Sequence, residues 1–313
     1  MKPSLSLGKR VDFYLRSRRR LGFALKTEEK RLKSLVVYAQ KVRHRGPLTE
    51  KLALEWARLP ADANPMWWAK RLVVVRGLAR FWHAFDPKVQ VPPPGVFGPS
   101  NCRRAVHIYT AREIALLLAE AGRLCPDFRA ATVKTLLALL ACTGLRIAEA
   151  LKLQIDDFDR AAATLMIRRS KFGQSRIVPL KSSSVRALAA YQAVCQKYRV
   201  PSSSTTFFLS AKGAAIPYET VRTTFGRLRK RLGWLRPTIP RIHDLRHTFA
   251  VNRLMAWQRQ QTDVLDRKIL ALGTYLGHRN IGHTYWYLSA TPELLALASK
   301  RLPVCPAKEA ANE

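Results

Sequence analysis

Apolar residues recur at helical spacing through most of this chain, and the places where that spacing fails divide it. Thr27, followed by Glu28 and Glu29, predicts a helix start running to about Arg43, closed by Gly46 and Pro47. Thr49 predicts another as far as Leu59. Asn64 then Pro65 reads as a cap with a first-turn proline, ahead of Trp67, Trp68, Leu72, Val75 and Leu78 on overlapping apolar faces. The segment as a whole reads as four short helices. Between Asp86 and Ser100 the pattern stops: Pro87, Pro92, Pro93, Pro94 and Pro99 crowd together with Gly95 and Gly98. Proline fixes φ and removes a donor, so this run reads as a semi-rigid extended linker, placed at 88–104.

Beyond it, Thr110-Ala111-Arg112-Glu113 is a capping box before a leucine-rich helix. Asp127 to Cys142 is apolar on nearly every side, which predicts a centrally buried helix. Gln154–Arg160, Thr164–Arg169 and Arg176–Leu180 alternate like short strands, with a turn at Ser170-Lys171-Phe172-Gly173-Gln174. Helical spacing resumes near Ser183. Thr291-Pro292-Glu293 caps a last helix, Leu294 to Leu302. The expected fold is mainly α with a small antiparallel β-sheet. Its parts are a helical bundle at 1–87, the linker, a larger domain at 105–302 and a disordered tail at 303–313.

Charge narrows the partner. Across 313 residues, 55 Lys and Arg stand against 21 Asp and Glu, a net charge of +34. Such an excess concentrates polyanions and drives binding by counterion release. The first helices carry much of it, and Arg16, Arg18, Arg19, Arg20, Lys30, Lys33 and Lys41 are candidate DNA contacts for a bundle lying on phosphates. A membrane role is disfavoured. The longest apolar candidate, Thr135 to Leu145, falls well short of about 18 residues, and the basic N-terminus lacks the apolar core of a secretory signal. Five cysteines stand singly, at 102, 125, 142, 195 and 305, a pattern of reduced cytoplasmic thiols rather than of disulfides or zinc. Cys142 is expected in the core.

Several residues of the larger domain point to phosphate chemistry. Gly144 can end the buried helix and leave Arg146 at the start of the next, with Glu149 one turn on to hold it. His243 and Arg246 share a helix face, and both can reach one point. His243 and His247 also stand at metal-ligand spacing, but Asp244 occupies the position where a zinc protease carries Glu, so no metal is expected. His247 is expected to pack behind the site. His278 follows Gly277, Tyr287 lies in Tyr285-Trp286-Tyr287, and Lys171 sits in the turn between two strands. Two guanidiniums can clamp the oxygens of one phosphate, because each is a rigid, permanently charged fork of donors. Taken singly, each element is ordinary. Their conjunction in this order is not.

That conjunction resembles the tyrosine recombinase (phage integrase) family, over roughly Tyr109 to Lys300. The matching strings are Thr143-Gly144-Leu145-Arg146 with Glu149, Lys171 before Arg176-Ile177-Val178-Pro179-Leu180, His243-Asp244-Leu245-Arg246-His247, and Leu276-Gly277-His278. The family's tyrosine stands nine residues after the last histidine, which selects Tyr287 over Tyr285. The resemblance implies a helical core-binding domain before a catalytic domain, and an attack by Tyr287 that leaves a 3′-phosphotyrosyl link, without metal or other cofactor. Arg146, Arg246 and His278 would stabilise the phosphorane, His243 would act as base, Lys171 as acid, and Glu149 and His247 as supports. It also implies double-stranded DNA as partner, a homotetramer or a heterotetramer with related recombinases, and a cytoplasmic, nucleoid-associated location. The ending through Thr291-Pro292 is similar to transposon-borne members, which implies service to a mobile element. The interval from Arg246 to His278 is longer than in compact members, with Gln258 to Asp266 as the insertion. Rival expectations are a type IB topoisomerase-like or telomere-resolving enzyme, and a non-catalytic DNA-binding accessory factor.

Overall fold

A computed structural model describes the chain except residues 1–4, 60, 102–104, 169–174, 199–204, 236–238, 260–264, 278–279, 281 and 286–313. It divides into two compact units, Met1–Arg104 and Ala105–Glu313.

The first unit is a bundle of α1 (Leu7–Arg20), α2 (Lys26–Lys41), α3 (Glu50–Ala57) and α4 (Pro65–His83). Ser6, Thr49 and Asn64 cap α1, α3 and α4 by accepting from backbone N–H groups of the first turn. Helix α2 starts one residue before Thr27, after Leu25 in a left-handed conformation and with no side-chain cap. Val11, Leu15, Leu32, Leu35, Trp56, Leu72, Val75 and Leu78 close the core. Not all of the positive charge is surface charge. The Arg71 guanidinium lies 3.7 Å from the Trp56 ring and donates to Trp56 O at 2.8 Å. Arg10 pairs with Asp86 at 2.7 Å. The proline-rich run is likewise tied to the first unit. Val89 is buried, Gln90 N donates to Leu48 O, and Arg76 donates to the carbonyls of Pro92 and Pro93, so the run is laid on the first unit through its own backbone groups.

The second unit surrounds α6 (Asp127–Thr143), whose apolar residues point in all directions because α5 (Ala111–Gly122), α8 (Ser182–Lys197) and α10 (Ile242–Arg259) pack around it. Leu136, Leu137 and Leu140 are fully enclosed. The Thr110/Glu113 capping box opens α5. After the short α7 (Ile147–Ala150) comes an antiparallel sheet in the order β1 (Phe158–Asp159), β2 (Thr164–Ile167), β3 (Arg176–Pro179). The register sets Leu165 opposite Val178 and Ile167 opposite Arg176, so Leu165, Ile167 and Val178 reach the core. The expected strand from Gln154 to Arg160 shrinks to two residues. Asp157 turns back to accept from Gln154 N at 2.9 Å and from Arg168 Nε, which winds Ile155–Asp157 into one 3-10 turn. Helices α9 (Tyr218–Arg231), α11 (Leu265–Leu276) and α12 (Gly282–Tyr285) complete the described unit. The fold is therefore mainly α with a three-stranded antiparallel sheet. Among the described residues no helix is long and apolar enough to cross a membrane.

Cys142 corrects its expected place. It is exposed at the last turn of α6, where the helix emerges from its neighbours, and it lines a cavity of about 430 Å³ with Lys181, Ser184, Arg253 and Tyr275. The expected insertion at Gln258 to Asp266 falls largely outside the described residues.

Candidate active site

The site begins where α6 stops. Gly144 takes φ +64, and a Cβ there would lie 2.5 Å from Phe249 Cδ1 and 3.2 Å from Leu276 Cδ2. Only glycine fits both the conformation and the space. The chain then turns sharply, and Arg146 becomes the residue before α7, in an extended conformation. Glu149 reaches back to it, accepting from Arg146 N at 3.1 Å and from Arg146 Nη1 at 2.7 Å.

Helix α10 supplies the second arginine. Its first turn is closed by Asp244, which accepts from Arg241 N at 2.9 Å and from Arg241 Nη2 at 2.7 Å. Thr248 Oγ1 donates to Asp244 O and accepts from Tyr109 N, fixing the helix against the entry of the domain. His243, Arg246 and His247 then follow one face. Arg246 is only 2% exposed. The imidazoles of His243 and His247 meet edge to face, with centroids 4.8 Å apart.

The end of α11 gathers these parts. Its closing residues offer three consecutive carbonyls, and each accepts from a different arginine. Tyr275 O takes Arg176 Nε at 2.7 Å, Leu276 O takes Arg246 Nη2 at 2.8 Å, and Gly277 O takes Arg146 Nη2 at 3.0 Å. Arg246 Nη1 also donates to Gly144 O at 2.9 Å, which ties the α6 turn to the same point. A helix C-terminus leaves its last carbonyls without helical partners and carries partial negative charge, so it can hold several cations together. Gly277 ends it at φ +68, where a Cβ would stand 3.0 Å from Arg176 Nη1.

The charges of the site set its titration. Burial would raise the carboxyl of Glu149, but hydrogen bonds and charge from Arg176, with those from Arg146, overcome it and bring the pKa down to about 2. His243 also moves down, which for an imidazole favours the neutral form. The His243 imidazole is exposed to solvent, yet loss of hydration among the surrounding groups and the neighbouring Arg246 charge push it down to about 4. It is neutral at pH 7.

Arg146, Glu149, His243, Arg246 and His247 are thus brought together as the sequence expected. Lys171, His278 and Tyr287 lie outside the described residues, although His278 is the direct chain neighbour of Gly277. Arg176 was not expected at the site. The only sequence signal was the string that opens β3, which served to mark a hairpin. Of the expected DNA contacts, Arg16, Arg19, Arg20, Lys30, Lys33 and Lys41 are exposed, with Arg19 and Lys33 both paired with Glu29, and half-buried Arg18 lies over the Phe23 ring at 4.2 Å.

The model of the phage integrase family matches residues 109–293, more than half of the chain. The protein belongs to the phage integrase family. These tyrosine recombinases cleave and rejoin DNA. The chain is 36% identical over 301 residues to the Sinorhizobium fredii protein named as integrase/recombinase y4rB, covering 93% of this chain and 95% of that one. Against tyrosine recombinase XerD of Mycobacterium tuberculosis it is 29% identical over 231 residues, 72% of this chain and 70% of the relative. Its fold is similar to that of the Tn1549 transposon integrase solved with transposon right end DNA, with a TM-score of 0.68 at 17% identity, over 94% of this chain and 99% of the other.

Proposed function

We propose that this recombinase acts through Tyr287, held against a phosphate clamp made by Arg146 and Arg246. The observation that carries the reading is the fastening of both guanidiniums to the adjacent carbonyls of Leu276 and Gly277, directly before His278. Tyr287 Oη attacks the scissile phosphorus, an O–P bond forms, and the bond to the 5′ oxygen breaks. The phenolic proton passes to neutral His243, and Lys171 Nζ supplies a proton to the departing 5′ oxygen. Arg146, Arg246 and His278 stabilise the charge that develops on the phosphorane, the largest single effect in many such sites. Glu149 orients Arg146, and His247 packs behind His243. The dianionic phosphorane raises the basicity of His243 at the moment it receives the proton, opposing the Arg246 charge that lowers it at rest.

The substrate is double-stranded DNA, gripped outside the site by the basic first unit, with Arg16, Arg20, Lys30 and Lys41 as its free-facing cations and Arg18, Arg19 and Lys33 beside them. The first unit is a core-site-binding domain, the second the catalytic domain. Four protomers, of this chain or with related recombinases, act on two synapsed sites in the cytoplasm, at the nucleoid. The names of its relatives support service to a mobile element.

Covalent trapping tests the reading with no target sequence specified in advance. A pool of nicked duplexes with randomised cores is offered, and protein–DNA adducts are recovered under denaturing conditions. The wild type should enrich a sequence as adduct. Tyr287→Phe should yield none while binding the enriched duplex within about tenfold, and Tyr285→Phe should still form adduct. An adduct mapped to Tyr285, or none from the wild type, refutes it.

A further inference from the structure

Each of the three nitrogens of the Arg176 guanidinium is hydrogen-bonded to protein. Nε donates to Tyr275 O at 2.7 Å, while Nη1 and Nη2 reach the two oxygens of Glu149 at 3.2 and 2.8 Å. Its side chain is 12% exposed, half the figure for Arg146. It opens β3 opposite Ile167, where the hairpin ladder ends, so its backbone is fixed before its side chain is used. The absence of a side chain at Gly277 is what lets it pass so close to the α11 end.

We propose that Arg176 is a positioning residue for strand cleavage, locking Glu149 to the Tyr275–Gly277 turn so that Arg146 meets the phosphate in one orientation. Three elements that come from distant parts of the chain converge on it: β3, the α7 turn and the end of α11. Arg146 hangs between two of them, held by Glu149 at one nitrogen and by Gly277 O at the other. Without Arg176, Glu149 keeps a contact to Arg146 but loses its tie to the carbonyl turn, and the arginine's two anchors can drift apart. Lysine cannot replace it, because a single ammonium does not span a carboxylate and a carbonyl in one plane. With each of its three nitrogens held by protein and its side chain 12% exposed, Arg176 acts through Glu149 rather than as a DNA contact. The idea rests on the recombinase reading above, and its test is built to fail separately.

Full-length wild type, Arg176→Ala and Arg176→Lys are compared on the duplex enriched by trapping. The alanine variant should cleave about 10²-fold more slowly, the scale of a small misplacement in a preorganised site, with duplex affinity within about threefold. Arg176→Lys should fall between, and carries the comparison should the alanine variant fail to fold. A substrate with sulfur at the bridging 5′ position should not rescue either variant, since the clamp acts on the phosphorane rather than on the leaving oxygen. The acid side of the rate profile should also move to higher pH. Among the described residues, the charged groups facing Glu149 are Arg146 from its own turn and Arg176 from β3. Removing Arg176 leaves Arg146 alone to oppose the effect of burial, so the Glu149 carboxyl should rise and activity should decline at a higher pH than in the wild type. Variants as fast as wild type, rescue by sulfur, or a slowing with no change in pH profile would each overturn the proposal. No adduct from the wild type would instead remove the recombinase reading itself.

Discussion

Replacing Glu149 by glutamine keeps the shape of the side chain and removes the negative charge shared by Arg146 and Arg176. Glu149 is buried, and it accepts from Arg146 and Arg176 at distances from 2.7 to 3.2 Å. Its pKa drops from an ordinary 4.5 to about 2. That difference corresponds to roughly 3 kcal/mol of folding stability, at the lower end of the ~3–5 kcal/mol expected when one partner of a buried ion pair is removed. The lower end is reasonable, since Arg146 and Arg176 keep some access to water. Because the folded pKa lies below the unfolded one, the contribution is complete above about pH 4.5 and is lost as the pH falls through 2. Glu149→Gln should therefore be roughly 3 kcal/mol less stable at pH 7 and less than half that by pH 3. With two compact units, whole-chain unfolding is a poor reporter. Urea-dependent hydrogen exchange of peptides from α6 reads the second unit directly. A gap below about 1 kcal/mol at pH 7, or one unchanged between pH 7 and pH 3, would mean that Glu149 does not fold as the ionised hub of the cluster.

Two further outcomes test other parts of the site. Lys171→Ala should be severely slowed on ordinary DNA and nearly restored when sulfur replaces the bridging 5′ oxygen, because a thiolate leaves without an acid; an equal defect on both substrates would make Lys171 a phosphate-positioning group only. Gly144→Ala must place a Cβ at φ +64 and 2.5 Å from the Phe249 ring, which should cost roughly 2–5 kcal/mol in left-handed strain and overpacking; a change under about 1 kcal/mol by the same exchange measurement would show that the α6 turn has slack.

The sequence by itself determined everything that depends on near neighbours. The helix starts at Thr110 and Asn64, the glycine end of α6, the Arg146–Glu149 contact one turn apart and the shared face of His243 and Arg246 are set by local geometry, and periodicity reports them. The excess of positive charge and the order of the phosphate-handling residues likewise needed no coordinates. Local reasoning erred where a distant or reversed contact won. Asp157 folded an expected strand into a turn, and the α6 end brought Cys142 to the surface. The tertiary structure alone decided what holds the arginines. Residues 146, 176 and 246 converge because three successive carbonyls at the end of α11 lack helical partners, and a backbone carbonyl leaves no mark in the identity of its residue. Arg176 was invisible for the same reason: its partners, Glu149 and Tyr275 O, are chosen by packing rather than by spacing.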